Sequence, residues 1–572
     1  MLSRHFSHPT ILAPGPILSA LKPSQVISVQ VQLAGQAEIR ANRTNGSWRL
    51  TAPISYPAQQ VKIEAFLKVL SELVSVATIS GDELRTRPEA EQDYGLAQPQ
   101  AYLIVQQADF LTHIKVGALT TPGDQVFIQV VGTQGAFVVD AELLKLIPHT
   151  ANAWRETTLL KLDELVFDRI VVTNNAKVFE LQRTAAADPW RLTLPIPARA
   201  DNIKIEEALQ NLGRLEVREF VSDDPRADLE ALGFRPPLLS IALAKGATPA
   251  AILMVGSSPT NEPAQVFARL AGSPAIMTIT RDLVEPWLQP GGSYRDPFLV
   301  GPLPAVSSIQ VLGAESFTLE RNTNDSWSVM PQNLPADAWI VKNLIATLTS
   351  MKVLEYVKDV VTPPDLPAFG LAQPRRQYTL RAPGTTNVLV QVNFGTNTID
   401  RAFASRADEN SVYAVSLAEA MHLPASGWAV RERKFWNLDV DQVTGVTVEG
   451  GGKSTRLLRQ AAHQWTLAPG SQGIFNELAI EETVRGLCQA AAVVWVAVGE
   501  TNRAQFGFSE NGRRLTLELK NGEKRTIEFG GDAPSSFPYA AVSLEKQLWI
   551  FEFPWPLYRD IQAYLPAPPA GS

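Results

Sequence analysis

The stretch Ser47-Trp48-Arg49-Leu50-Thr51-Ala52-Pro53 decides how this chain is read, because it returns three times. The later copies are PWRLTLP (Pro189 to Pro195), SWSVMP (Ser326 to Pro331) and QWTLAP (Gln464 to Pro469). Each has an aliphatic residue two positions after the tryptophan and a proline four or five after it. Trp48, Trp190, Trp327 and Trp465 stand 142, 137 and 138 residues apart. A second landmark follows each: YGLAQP, LGFRPP, FGLAQP and FGFSEN, whose glycines Gly95, Gly233, Gly370 and Gly507 are 138, 137 and 137 apart. A third is an apolar run ending in Val116-Gly117, Val255-Gly256, Phe394-Gly395 and Phe529-Gly530. Three landmarks with one period mean a tandem of four modules, each about as long as an ordinary domain.

Inside a module the patterning changes in a fixed order. Short runs of period-two alternation come first, such as Ile27 to Val31, Ala37 to Ala41 and Ser47 to Leu50, separated by turn residues such as Asn45-Gly46; this is the pattern of an antiparallel meander. A helix is expected next, with apolar residues at helical spacing: Ile63, Phe66, Leu67, Leu70 and Leu73 in the first copy, Ile205, Leu209, Leu212 and Leu215 in the second, Ile340, Leu344, Ile345 and Leu348 in the third. Asp201, Asp337 and Asn476 sit where an N-cap accepts from unpaired amides, and Gln59 is a weaker cap in the first copy. The recurring glycine is expected in the left-handed conformation at the end of a short helix, with the proline after it preventing resumption. Four more strands and a closing helix complete the unit: Ala141 to Ile147, Arg281 to Leu288, Leu417 to Leu423 and Pro556 to Leu565. The fold class is therefore α+β: four tandem repeats of a mostly antiparallel sheet module with helices packed on one face, expected to form an elongated array. The expected boundaries are an irregular tail over 1–25, then modules over 26–163, 164–304, 305–441 and 442–572, the last with a disordered Pro-rich end.

Composition limits what such a chain does. Of 572 residues, 45% are apolar, ample for several cores, and 51 basic against 58 acidic side chains give a formal charge of −7. No basic excess exists to neutralise phosphates, so nucleic-acid binding is not expected. A single cysteine, Cys488, can neither close an intrachain disulfide nor hold zinc alone. No stretch of 18 apolar residues occurs, and ILAPGPILSAL (Ile11 to Leu21) is too short to span a bilayer and broken by two prolines.

The set of motifs W-x-L-x-x-P, helix, [YF]-G-[LF]-x-x-P and a strand ending in V-G resembles the domain of unknown function 4340 family. It is carried by Trp48, Pro53, Tyr94, Gly95, Leu96, Pro99, Val116 and Gly117 and again by the later copies, with Asn511 in place of the last proline in the fourth. The resemblance implies a bacterial protein held at the membrane by an N-terminal helix with its repeats outside the cytoplasm. It also implies an auxiliary role beside gliding-motility-type ABC transporters. The anchor helix is not in this sequence, which is expected to be a soluble variant or to start downstream of it. The family brings no known catalytic residues.

Linear motifs for chemistry are weak. GGGKS (Gly450 to Ser454) ends like a phosphate-binding loop, but the first glycine of that motif would fall on Thr447, so a hairpin turn is expected. His5 and His8, spaced for a metal, have no further ligand nearby, and His113, His149, His422 and His463 fall at unrelated module positions. Cys488 lies on an apolar helical stripe and is expected to be a core residue. The adjacent acids Asp223-Asp224 and Glu481-Glu482 do not face one another on a helix and are not read as a catalytic pair. The four tryptophans are expected as core anchors beneath the helix rather than sugar platforms. No catalytic, cofactor or metal site is assigned. Arg155, Arg295 and Arg431 recur near module ends and are singled out as module-junction residues.

These readings lead to one preferred expectation: a non-enzymatic, extracytoplasmic repeat protein that scaffolds or assists a membrane transport or envelope complex through protein partners. An envelope polysaccharide-binding protein and a hydrolase with a loop-assembled site are the alternatives.

Overall fold

A computed structural model describes residues 15–565 except 88, 176, 385, 472–473, 500 and 502. His5, His8 and the Pro-rich run after Leu565 lie outside the described residues. The chain divides into two compact units, 1–295 and 296–572, with two modules in each.

Every module is built on one antiparallel sheet, nine-stranded in the first three and eight-stranded in the fourth among the described residues. The first module shows how the chain is laid down. Val26–Leu33 starts at the centre, and Ile39–Thr44, Ser47–Ala52 and Tyr56–Pro57 meander to one edge. The helix Gln60–Glu72 crosses the face, and Ala77–Ile79 becomes the opposite edge. The chain then returns to the centre, pairing Ala101–Gln107 with the first strand (Val29 opposite Val105, Val31 opposite Leu103). A second meander, Phe110–Leu119, Gln125–Val130 and Ala136–Asp140, runs out to meet the edge strand. Strands within each meander pair locally, and two crossovers join the meanders: the helix carries the chain to the far edge, and residues 80–100 return it to the centre.

Burial follows the predicted stripes. Ile63, Phe66, Leu67 and Leu70 are buried under the first helix, and Ile205, Ala208, Leu209 and Leu212 under the second (Asn202–Gly213). The third helix (Ala338–Ser350) buries Ile340, Val341, Leu344 and Leu348, and the fourth (Glu477–Cys488) buries Ile480, Val484, Leu487 and Cys488. Burying four such side chains contributes on the order of 6–10 kcal/mol per helix before entropy is counted. Asp201, Asp337 and Asn476 cap as expected. Gln59 does not cap; its amide donates instead to Arg155 O at 2.8 Å.

The two glycine landmarks prove to be one device. Gly95, Gly233, Gly370 and Gly507 all have positive φ, between 65° and 75°. A Cβ on them would stand 2.5, 2.6, 2.8 and 2.7 Å from the amide nitrogens of Ala118, Ser257, Thr396 and Gly531. Those residues directly follow Gly117, Gly256, Gly395 and Gly530. In turn, a Cβ on any of this second set would overlap the carbonyl oxygen just before the first glycine, at Tyr94, Leu232, Phe369 or Phe506. Turn geometry and close packing both demand glycine here.

Three expectations need correction. Gly233 ends a series of turns rather than a helix. The closing helix of the second module is two short 3-10 turns, Arg281–Leu283 and Glu285–Leu288, because Pro286 has no amide with which to continue an α-helix. The third concerns the boundaries, since each core begins before its expected start. Leu159 and Leu160 pack in the second core, Leu299 and Val300 in the third, and Phe435 and Trp436 in the fourth. The expected N-terminal tail likewise docks from Ile17 on, whose amide donates to Leu73 O at 2.8 Å. In each module this incoming segment satisfies the backbone beyond the helix C-terminus.

Candidate functional site

Arg155 and Arg431 occupy the same place in the first and third modules. Their backbones bridge to Ala58 and Ala336, just before the module helix, and the preceding carbonyls of Trp154 and Val430 accept from the N-cap amides of Gln59 and Asp337. Arg295 holds the corresponding backbone position at the end of the first unit, opposite Ala200.

The Arg155 guanidinium is fully buried and bidentate to Asp223 of the next module, at 2.8 and 2.9 Å. It lies 4.2 Å from the Tyr56 ring of its own module and 3.6 Å from the Phe220 ring of the next. Arg431 repeats the arrangement with other residues: both Glu545 oxygens at 2.9 Å, and the Trp549 and Trp495 rings at 3.7 and 5.4 Å. Burial pulls the Arg431 guanidinium below its ordinary value and the Glu545 charge opposes that. A planar cation between rings and a carboxylate is a joint between modules; Arg155 keeps its buried Nε, and Arg431 one buried Nη, without a hydrogen bond among the described residues.

A second arginine recurs beside the tryptophan. Arg43, Arg183, Arg321 and Arg459 are spaced 140, 138 and 138 apart. That signal is as regular as the tryptophans, but arginine is common on surfaces and draws no notice alone. In the first module Arg43 lies 4.7 Å over Trp48 and pairs with Glu64 of the helix at 3.0 Å. In the second, Arg183 lies 4.4 Å over Trp190, and Glu206 accepts from Trp190 Nε1 at 3.0 Å and pairs with Arg183 at 3.9 Å. The fourth is the tightest: Glu481 takes both Arg459 nitrogens at 2.7 and 3.0 Å and Trp465 Nε1 at 2.8 Å, and Asp441 adds a contact at 2.9 Å. Burial alone would raise the Glu481 carboxyl; the bonds from Arg459 and Trp465 overcome it and hold the group below the usual glutamate range.

The third module departs from this pattern. The helix position of Glu64, Glu206 and Glu481 is Lys342. Trp327, expected as a core anchor, is half-buried, and Arg321 turns to Asp325 at 3.1 Å on the exposed side. A groove of 570 Å³ opens between the incoming segment and the helix, lined by Trp327, Arg321, Lys342, Leu303, Val306 and Ile345 among others. The second module has the equivalent groove, of 510 Å³, lined by its paired Arg183 and Glu206. On the other side of the same third-module helix, a cleft of 1020 Å³ lies between the third and fourth modules, lined by Trp339, Met421, His422, Arg375 and Arg433 among others.

The remaining sequence candidates fall outside these sites. Gly451 and Gly452 form a two-residue hairpin turn, with Gly450 opposite Lys453, so GGGKS is a turn. Cys488 is buried in the fourth core, where burial pushes its thiol up to about 11. Among the described residues no cluster of His, Cys, Asp or Glu is placed to hold a metal. No helix among them is long and apolar enough to cross a membrane.

The family model described as domain of unknown function (DUF4340) matches residues 48–189, 190–332 and 327–493, more than half of the chain. The chain belongs to this family. The three matched segments begin at Trp48, Trp190 and Trp327, in the third strand of each of the first three sheets; in the second sheet that strand starts one residue later, at Arg191. No curated protein and no solved structure matches the chain.

Proposed function

We propose that this chain is a non-enzymatic scaffold that holds protein partners in a bacterial membrane transport or envelope complex, outside the cytoplasm, with the auxiliary role beside an ABC transporter that its family suggests. One observation carries the reading. The second residue of every module helix is a large apolar side chain left in solvent: Val61 is 81% exposed, Ile203 74%, Trp339 66% and Leu478 60%. Single exposed apolar residues need no explanation. One at the same place in four modules of otherwise different sequence is a repeated contact point. The buried arginine joints support the same role, because a scaffold needs its modules held in set orientations within each unit.

The test is co-purification from the native envelope. Proteins retained by the wild-type chain should be lost from a variant carrying Val61→Ser, Ile203→Ser, Trp339→Ser and Leu478→Ser, which removes exposed surface and leaves the cores intact. Undiminished retention would overturn the reading. The cleft beside Trp339 favours the second reading, an envelope polysaccharide stacked on an exposed indole. Binding on a glycan array that is lost with Trp339→Ala would support that reading over the first.

A further inference from the structure

We propose that the groove of the third module binds an acidic peptide segment of a partner protein, whose side-chain carboxylate takes the place that a helix glutamate holds in the other three modules. The inference goes beyond the scaffold reading, since the groove lies away from the exposed residue at the helix start and is tested without it.

The argument is an internal comparison across four copies of one fold. Three copies neutralise the arginine beside the tryptophan with a glutamate from the helix, at 3.0, 3.9 and 2.7 Å. The third copy puts Lys342 there, so the same pocket holds two cations and no helix acid. The Lys342 side chain makes no hydrogen bond or ion pair among the described residues, and Arg321 pairs with Asp325, which lines the same groove and is itself largely exposed. The consequence is visible in packing. The Arg321 side chain is 37% exposed where that of Arg459 is 7%, and Trp327 is half-open where Trp465 is buried.

The incoming segment adds to the opening. In the other modules it carries a 3-10 turn: Pro23–Gln25, Leu162–Glu164 and Val440–Gln442. The first of these gives backbone carbonyls to Arg43, and the last gives Asp441 to Arg459. The third module has Pro302-Leu303-Pro304 instead, with no such turn. The result is an open groove with two cations and the largely exposed Asp325 at its edge, a net charge of +1, with an indole beside them and Leu303, Val306 and Ile345 along its walls.

Charge complementarity calls for an anion, and the apolar walls call for side chains flanking it. A peptide with a glutamate between apolar residues meets both needs, whereas a small free anion would leave the walls unfilled. Because the charges are partly exposed, binding should weaken with salt.

The experiment uses the full chain and a fluorescein-labelled dodecapeptide, Ala-Leu-Glu-Pro three times over, read by anisotropy, with the glutamine version as control. The acidic peptide should bind up to about fivefold more tightly than the control, the effect of one exposed ion pair. Lys342→Glu should lower its affinity by about tenfold, since attraction is replaced by repulsion, and Lys342→Gln by less. The second-module groove provides the converse: Glu206→Lys should create a second site of the same preference. Circular dichroism establishes that each variant is folded. Equal binding of the acidic and glutamine peptides, no binding of either, or no change with Lys342→Glu overturns the proposal. All three outcomes leave the four exposed helix-start residues, and the scaffold reading, untouched.

Discussion

The third and fourth modules place the same arginine–tryptophan pair on the same strands and reach opposite results. In the fourth, Glu481 closes the site from the helix, so the guanidinium and the indole N–H are both satisfied in the interior. In the third, Lys342 prevents closure and the site stays open to solvent. The helix position and the incoming segment together separate a tryptophan buried in the core from one left half-open. The difference follows from electrostatics: a buried cation is tolerated only with its partner, and without one it moves outward.

The largest effect should come from breaking the closed member of the pair. Glu481→Ala leaves Arg459 with only the exposed Asp441 as its partner, beside a bare indole N–H, and is expected to cost about 3 kcal/mol, read as a lower denaturant midpoint for the unit holding the fourth module. A loss below 1 kcal/mol would mean that the two sites are equivalent after all. Arg155→Ala tests whether burial or the tryptophan pairing sets that scale. It removes a buried guanidinium with no tryptophan partner, and its carboxylate Asp223 is one-third exposed, so a loss of about 2–3 kcal/mol is expected.

Acid should separate the modules more gently. The Glu481 carboxyl is held below its ordinary value of 4.5 in the folded chain. Its stabilisation is therefore complete above that value and is lost as pH falls through the lower, folded one. The wild type should lose more stability than Glu481→Gln between about pH 7 and pH 3, and parallel curves would count against the assignment. The smallest effect belongs to the open site. Lys342→Glu restores the pairing seen in the other modules and should raise stability by no more than about 1 kcal/mol, because the site is exposed. A larger gain would show that the groove had closed into a true core.

The repeat, the helix stripes and both glycine landmarks were legible in the sequence because each is a local pattern repeated four times. What the landmarks did together was not, since Gly95 and Gly117 meet only once the strands between them have folded. The junction arginines were visible as a recurring residue, but not their partners. Asp223 follows an edge strand, whereas Glu545 sits in the turn between two strands of the second meander. The two joints share a cation and draw their acids from unrelated positions, so no period betrays them. The helix glutamates and their exception at Lys342 were in plain sight, yet they acquire meaning only beside an arginine some 20 residues upstream, as in Arg43 and Glu64.

The linker between modules leaves one last consequence. Residues 154–159 hydrogen-bond to the start of one helix and the end of the next, through Gln59 and Leu215, and residues 430–433 do the same through Asp337 and Ala492. The family match keeps a different phase: its three segments begin at Trp48, Trp190 and Trp327, so that each start divides a sheet after its second strand. A fragment excised at those points would carry the tail of one sheet and the head of another, like a plank sawn with its tongue and groove exposed at either end. Such a plank lies flat only against another of its kind. The unit in which the family's sequence repeats and the unit of sheet structure are out of step by two strands.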